Sequence, residues 1–171
     1  VNGGKDKIGG WLGFPIVGLS YSHEFNDLVE FDLVAGYGGI WGYHRLDVQL
    51  GALFTVFDPV LSGLGDQHCP LSLGPVLGGS FTFVKYANET LLGGAISLMV
   101  PIRWEINFGN IPDFNLFIDV APVGVAINFV PSKVPDSVTP SGVTYKNEIH
   151  TVWSYTSRFG VGLRYRIPSK K

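Results

Sequence analysis

Apolar and polar residues alternate with a period of two along most of this chain, and no other feature of the sequence limits its fold as strongly. In Leu91–Phe108 the even positions are apolar apart from Gly94, whereas the odd positions include serine, arginine, glutamate and asparagine. Successive side chains of a β-strand point to opposite faces, so the segment predicts a strand with one apolar and one polar face. No helical period of comparable length competes with this pattern, and we therefore predict an all-β fold.

Seven segments show the alternation and are predicted to be long strands of about 13 to 20 residues, against a usual length of about 5 to 6. They are Ile8–Phe25, Leu28–Tyr43, Arg45–Asp58, Leu71–Lys85, Leu91–Phe108, Asn115–Phe129 and Glu148–Ile167. The first and the sixth change phase near Pro15 and Pro122, as a β-bulge would cause. Residues 59–70 and 131–147 are predicted loops. No linker is visible, so residues 1–171 are predicted to form one domain.

Composition excludes several function classes. The chain has 12 Lys and Arg against 14 Asp and Glu, so it lacks the basic footprint of a nucleic-acid-binding protein. Charged residues make up only 15%, below the roughly 25% of soluble domains, which suggests that something other than water faces the surface. Cys69 is the only cysteine, which excludes an intrachain disulfide and a multi-cysteine metal site. No metal or cofactor motif is found, so neither group is expected.

The distribution of charge indicates which face is outside. All five arginines lie on the polar faces of predicted strands together with six carboxylates, one of them Glu24. The lysines, Lys7 among them, are assigned to strand ends and loops, whereas a water-facing sheet would scatter lysine along its strands. The polar faces are therefore predicted to enclose a lumen with a paired charge network. Its residues are Glu30, Asp32, Arg45, Asp47, Arg103, Glu105, Asp119, Arg158, Arg164 and Arg166.

Aromatic residues on the apolar faces predict the height of a membrane band. Tyr155 and Tyr165 lie at opposite ends of the last apolar face, separated by roughly 25 Å for a tilted strand, the height of a lipid-facing band. The predicted aromatic girdle consists of Trp41, Tyr43, Trp104, Trp153, Tyr155 and Tyr165.

With these features the chain resembles the small bacterial outer-membrane β-barrels, the class that contains the OmpA, OmpX and OmpW types. The resemblance covers nearly the whole chain and rests on pattern rather than on a diagnostic motif. It implies a closed antiparallel up-and-down transmembrane barrel of eight strands in the bacterial outer membrane. Such barrels have an even strand number, so an eighth strand is expected at the N-terminus, in a long loop or beyond the sequence.

The expected function is that of a non-enzymatic structural, adhesive or complex-forming membrane protein with a largely filled lumen. Membrane lipid is one expected partner, and protein partners are expected at loops 59–70 and 131–147. The alternatives are a narrow porin-like channel for ions or small molecules and a soluble lipocalin-like binder of an apolar ligand. A lipid-modifying enzyme would need His150 with Ser154, or Ser22 with His23, and neither pair forms a triad by spacing.

Overall fold

The computed structural model describes residues 5–40, 43–61, 67–86, 89–108 and 110–168. The described residues form strands joined by turns, and none of their segments is a helix long and apolar enough to cross a membrane. The strands are β1 (Asp6–Phe14), β2 (Val17–Glu24), β3 (Val29–Ile40), β4 (Tyr43–Phe57), β5 (Val60–Leu61), β6 (Gln67–His68), β7 (Leu71–Leu73), β8 (Val76–Tyr86), β9 (Glu89–Met99), β10 (Ile102–Asn107), β11 (Phe114–Ala121), β12 (Gly124–Thr139), β13 (Gly142–Tyr155) and β14 (Arg158–Ile167).

Eight of the described strands form a closed antiparallel ring. Its order is β1, β2, β3, β4, β7, β10, β11 and β14, and β1 closes it by pairing with β14 from Asp6 opposite Ile167 to Phe14 opposite Phe159. We call these eight strands the closed ring. The predicted eight-stranded closed antiparallel barrel is therefore confirmed.

Four further strands continue the barrel wall beyond one end of the closed ring. The first of them, β8, pairs with the ring strand β4, and the order then continues with β9, β12 and β13. We call β8, β9, β12 and β13 the extension. The ring strands β1 and β2 do not reach this level, because the chain turns at Pro15 and Ile16 between them. The extension is consequently an open sheet above a closed barrel.

The eighth strand comes from the N-terminal segment, and the prediction of one bulged strand over Ile8–Phe25 is wrong. This segment folds back at Pro15, so that Trp11 of β1 lies opposite Gly18 of β2. Proline lacks an N–H and holds φ near −65°, which suits a turn better than the interior of a ladder. Both halves alternate, so the pattern by itself did not show the reversal.

The prediction of a loop over residues 131–147 is also wrong, because β12 and β13 form a long hairpin there. Pro131 lies opposite Ile149, and Pro135 lies opposite Tyr145. On its other side β12 pairs with β9 only as far as Phe129. Beyond that residue no described residue of β9 pairs with β12, and a proline is tolerated where no ladder partner needs its N–H. The other predicted loop, 59–70, contains the short hairpin of β5 and β6.

At one level of the barrel wall, four neighbouring ring strands are separated by short breaks from the extension strands that continue them. The two-residue breaks at 74–75, 100–101, 122–123 and 156–157 separate β7 from β8, β9 from β10, β11 from β12 and β13 from β14. Pro75, Pro101 and Pro122 lie in three of them. At the break at 122–123 the buried residues change from odd-numbered positions such as Asp119 to the even-numbered position Ala126. This agrees with the phase change predicted near Pro122. We call this line of interruptions the break row.

The polarity of the barrel is inverted relative to a water-soluble domain. A compact cluster of Trp11, Ile16, Val34 and Phe117 is the buried apolar core. Large apolar side chains cover the outer wall instead, and their exposed fractions reach 61% at Leu12 and 69% at Phe81. Charged side chains on the polar faces of ring strands, such as Asp32, Arg103 and Asp119, are buried.

Candidate functional site

Many inward positions of the closed ring carry ionisable side chains. Of the ten predicted network residues, eight are buried, and Glu30 and Arg45 are partly exposed. The eight are Asp32, Asp47, Arg103, Glu105, Asp119, Arg158, Arg164 and Arg166. Because a lone buried charge is very costly, the partners of each side chain determine what the interior can do.

The deepest layer consists of two arginines and two aspartates. Arg103 donates to Asp32 at 2.7 Å and to Asp119 at 3.0 Å, and its side chain has no exposed surface. Arg158 donates to both oxygens of Asp119 at 2.8 and 2.9 Å and to Gln49 at 2.7 Å. Asp119 is thus held by two guanidinium groups from different strands, in the geometry that makes charge-assisted hydrogen bonds strong.

A second layer lies towards the end of the ring that carries the 25–28 turn. Arg164 donates to Asn115, to Ser22 at 2.6 Å and to Glu30 at 3.1 Å, and it also pairs with Glu105. These partners come from four different strands, so one guanidinium ties much of the ring together.

Lys7 belongs to this network, although the sequence analysis left it out. It is the second residue of β1, so it lies near a strand end as predicted. Its side chain is fully buried, and its Nζ lies 2.6 Å from Glu30, 3.0 Å from Glu24 and 3.3 Å from Glu105. Lys7 lies on β1 at the same parity as Trp11, which also points inward. This shared parity could have placed Lys7 inside the barrel from the sequence, but only if residues 6–14 had been recognised as a strand of their own.

Arg166 completes the network near the mouth of the ring. Its guanidinium lies 3.0 Å from Glu24 and donates to Asn107 at 3.2 Å. Asn107 also accepts a hydrogen bond from Asn115, which links this layer to Arg164.

Two aromatic rings fill the space between the charges. The Phe117 ring centroid lies 4.6 Å from Cζ of Arg103 and 4.7 Å from Cζ of Arg164. Arg158 lies 5.0 Å from the Trp11 ring, and the two aromatic centroids are 5.7 Å apart. Cation–π contacts stabilise desolvated guanidinium groups and leave little room for water. The sequence analysis missed both aromatic residues, although they share the inward parity of the charged residues.

Among the described residues the network contains equal numbers of positive and negative side chains. Its ion pairs join five cations to five carboxylates. The cations are Lys7, Arg103, Arg158, Arg164 and Arg166, and the carboxylates are Glu24, Glu30, Asp32, Glu105 and Asp119. Arg45 and Asp47 form a separate pair near the extension, with Nη2 donating to Oδ2 at 2.5 Å.

Two hollows lie on opposite sides of this network. One, of about 410 Å³, opens at the ring mouth and is lined by Glu24, Glu105 and Arg166 among others. The other, of about 340 Å³, lies against the extension, with Arg45 and Ser154 in its wall. The charged and aromatic side chains lie between the two hollows.

The predicted aromatic girdle lies on the outer wall wherever it can be described. The exposed fractions of its residues range from 40% for Tyr165 to 68% for Tyr155. Tyr43, Trp104 and Trp153 lie between these values, and Trp41 is outside the described residues.

The candidate catalytic side chains are engaged elsewhere. Ser22 accepts a hydrogen bond from Arg164 inside the barrel, whereas His23 contacts Asp6 at 2.7 Å. His150 lies 3.8 Å from Glu148, and Ser154 accepts from Asn128 at 2.7 Å. The described contacts bring neither serine to its histidine.

The described residues contain no group of three or more His, Cys, Asp or Glu side chains placed to bind a metal ion. Cys69, between β6 and β7, is buried, and desolvation raises the pKa of its thiol above the usual value. A raised thiol pKa disfavours the nucleophilic thiolate.

Comparison with known proteins gave no match: no protein-family model, no curated protein and no solved structure is significantly similar to this chain. The geometry of the barrel is therefore the basis for its proposed function.

Proposed function

We propose that this chain is an integral outer-membrane β-barrel with a closed lumen, and that it acts as an adhesive or complex-forming protein through its ends. The observation that carries the proposal is the inverted polarity of the closed ring. Its interior holds five ion-paired cations, whereas outward residues such as Leu12, Leu19 and Trp104 are between 54% and 64% exposed. Monomeric soluble proteins rarely expose apolar patches larger than a few hundred Å².

The dimensions of the ring support a membrane location. β1 has nine residues, which at about 3.3 Å per residue and a tilt of about 40° span roughly 23 Å. The apolar band of outer-membrane barrels is about 25 Å tall. Ring closure also pairs the backbone groups that lipid could not satisfy.

The filled interior and the open extension support the proposed role in adhesion or complex formation. A lumen occupied by paired side chains offers no wide path for solutes. The extension and the turns at its tip are the parts that a partner outside the membrane would reach. The predicted contact region at 131–147 belongs to this extension as a hairpin rather than as a loop.

Electrophoresis of boiled and unboiled samples, prepared with and without detergent, tests whether the chain forms a closed barrel and whether that barrel needs an apolar environment to fold. We expect the unboiled protein to be folded only in detergent and to change its migration after boiling, because the ring keeps its hydrogen bonds until it is heated. A urea-unfolded sample serves as the control and should migrate like the boiled one. A chain that is folded without detergent and unaffected by boiling would overturn the proposal.

The closed lumen predicts no steady current when the purified barrel is inserted in a planar lipid bilayer. The balanced network fills the path between the two hollows, and moving a buried charge aside would leave its partner unpaired. An empty-detergent sample controls for leakage. A steady, salt-dependent current that disappears on substitution of Arg103 or Arg158 would favour the channel alternative instead.

A further inference from the structure

One edge of the β13 strand pairs with no other strand in the part of the chain that the structure describes. Among the described residues β13 pairs with β12 alone, because β1 and β2 end below its level. Tyr145 and Ile149 on this strand are 61% and 72% exposed. An edge of unpaired N–H and C=O groups is a template for pairing with another strand.

The part of this edge that reaches beyond the apolar belt can be located from its residues. Trp153 and Tyr155 lie on the outer face next to the ring. Farther along, the strand carries Lys146, Glu148 and His150, whose charge or polarity is suited to water. Residues 142–152 therefore project from the belt, and at about 2.5 Å of rise per residue they extend roughly 28 Å.

This segment is complementary to itself in one antiparallel register. Full overlap of residues 142–152 with the same residues of a second copy is centred on residue 147. Lys146 of each copy then lies opposite Glu148 of the other copy, and Tyr145 of each copy lies opposite Ile149 of the other. Opposite charges and apolar residues that face each other across strands stabilise a sheet.

Neighbouring registers lack this complementarity. Centring the pair on residue 146 places Lys146 opposite Lys146, and centring it on residue 148 places Glu148 opposite Glu148. Like charges directly opposite each other destabilise a sheet, so the charge pattern selects the register centred on residue 147.

Antiparallel pairing of one strand with its own copy fixes how the two barrels are oriented. The two-fold axis that relates the strands is perpendicular to the sheet, so the barrels point in opposite directions. Copies inserted in one membrane share one direction. Resting on the proposed function, we propose that the β13 edge binds a second copy of this chain in a facing membrane, through an isologous contact over residues 142–152.

Vesicle aggregation tests the proposal. Protein is reconstituted into phosphatidylcholine vesicles, outward display of the extension is checked by trypsin cleavage, and turbidity is followed. We expect wild-type vesicles to aggregate and vesicles bearing Lys146→Glu or Glu148→Lys alone to aggregate roughly tenfold more weakly, because two opposite-charge pairs become like-charge pairs. Mixing the two variant populations should restore aggregation, since each Glu then faces a Lys.

The control variant is Lys85→Glu, which makes the same charge change on β8, an exposed position away from the β13 edge. It should aggregate like wild type. Dispersed wild-type vesicles, a mixture of variants that stays dispersed, or an equal loss with Lys85→Glu would each overturn the proposal.

Cross-linking tests the register, with cysteines introduced in a Cys69→Ser background. Vesicles bearing Tyr145→Cys mixed with vesicles bearing Ile149→Cys should be linked by a short bis-maleimide, whereas Tyr145→Cys vesicles alone should not. Equal linking in both cases would refute the register. Electrophoresis of the same samples distinguishes failure of the self-pairing from failure of the proposed function. Inserted, heat-modifiable barrels whose vesicles stay dispersed would refute only the self-pairing. A chain that is soluble without detergent would refute the proposed function as well.

Discussion

Replacing Arg103 with methionine is expected to lower the free energy of unfolding by about 3 to 5 kcal/mol, the usual cost of removing one partner of a buried ion pair. Methionine keeps much of the apolar stem that packs on Phe117 but leaves Asp32 and Asp119, both fully buried, with one fewer cation. Urea unfolding of the detergent-folded protein, followed by tryptophan fluorescence, measures the change. If the variant does not fold, its folded fraction on unboiled gels reports the same effect.

Lys146→Met is the matched control. Lys146 is paired with Glu148 on the surface, and its side chain is 51% exposed, so the expected change is within about 0.5 kcal/mol. Adding Asp32→Asn to Arg103→Met should recover part of the loss, since it removes one of the carboxylates left uncompensated. Equal stabilities of Arg103→Met and the control would show that the interior charges are hydrated rather than enclosed.

The second large effect is expected from Gly160→Val, at about 3 kcal/mol or more of destabilisation through overpacking. Gly160 lies on the inner face of β14, where an added Cβ would overlap the rigid indole ring of Trp11. The ring cannot move aside easily, because Phe117 and Arg158 pack against it. The same urea titration measures the loss.

Gly79→Val is the control for this substitution. Gly79 is an exposed strand residue of β8 whose added Cβ would meet no atom within 4 Å, so stability should change by less than about 0.5 kcal/mol. Trp11→Leu combined with Gly160→Val should restore part of the stability by vacating the overlapped space. If Gly160→Val were as mild as Gly79→Val, the interior could not be packed as described.

The sequence predicted strands and their two faces because these depend on a local period of two. That period gave seven strands, and the eighth was expected only because barrels of the class that the chain resembles have an even strand number. The pairing of distant residues has no local signal. Arg158, for example, reaches Gln49 and Asp119, 109 and 39 positions away along the chain, and alternation says only that all three point inward.

The errors have a common cause, since proline was read as an interruption wherever it occurred. At Pro15 it marks a reversal between two ring strands, and at Pro131 it is tolerated in β12 beyond the last residue that pairs with β9. Which of these applies depends on the neighbouring strand. Lys7 was left out of the network for a different reason, because the predicted first strand began at Ile8 whereas β1 begins at Asp6.

The break row also has a consequence for cooperativity. Four adjacent strands lose their regular ladder at the same level, where the remaining links include hydrogen bonds from Ala52 to Pro75 and from Thr156 to Gly124. Beside them, β4 runs through this level from Tyr43 to Phe57. The extension can therefore open without breaking the ion-paired ring, and its amide hydrogens should exchange through local unfolding while those of the ring await global unfolding. One continuous sheet would then consist of two units with different unfolding free energies.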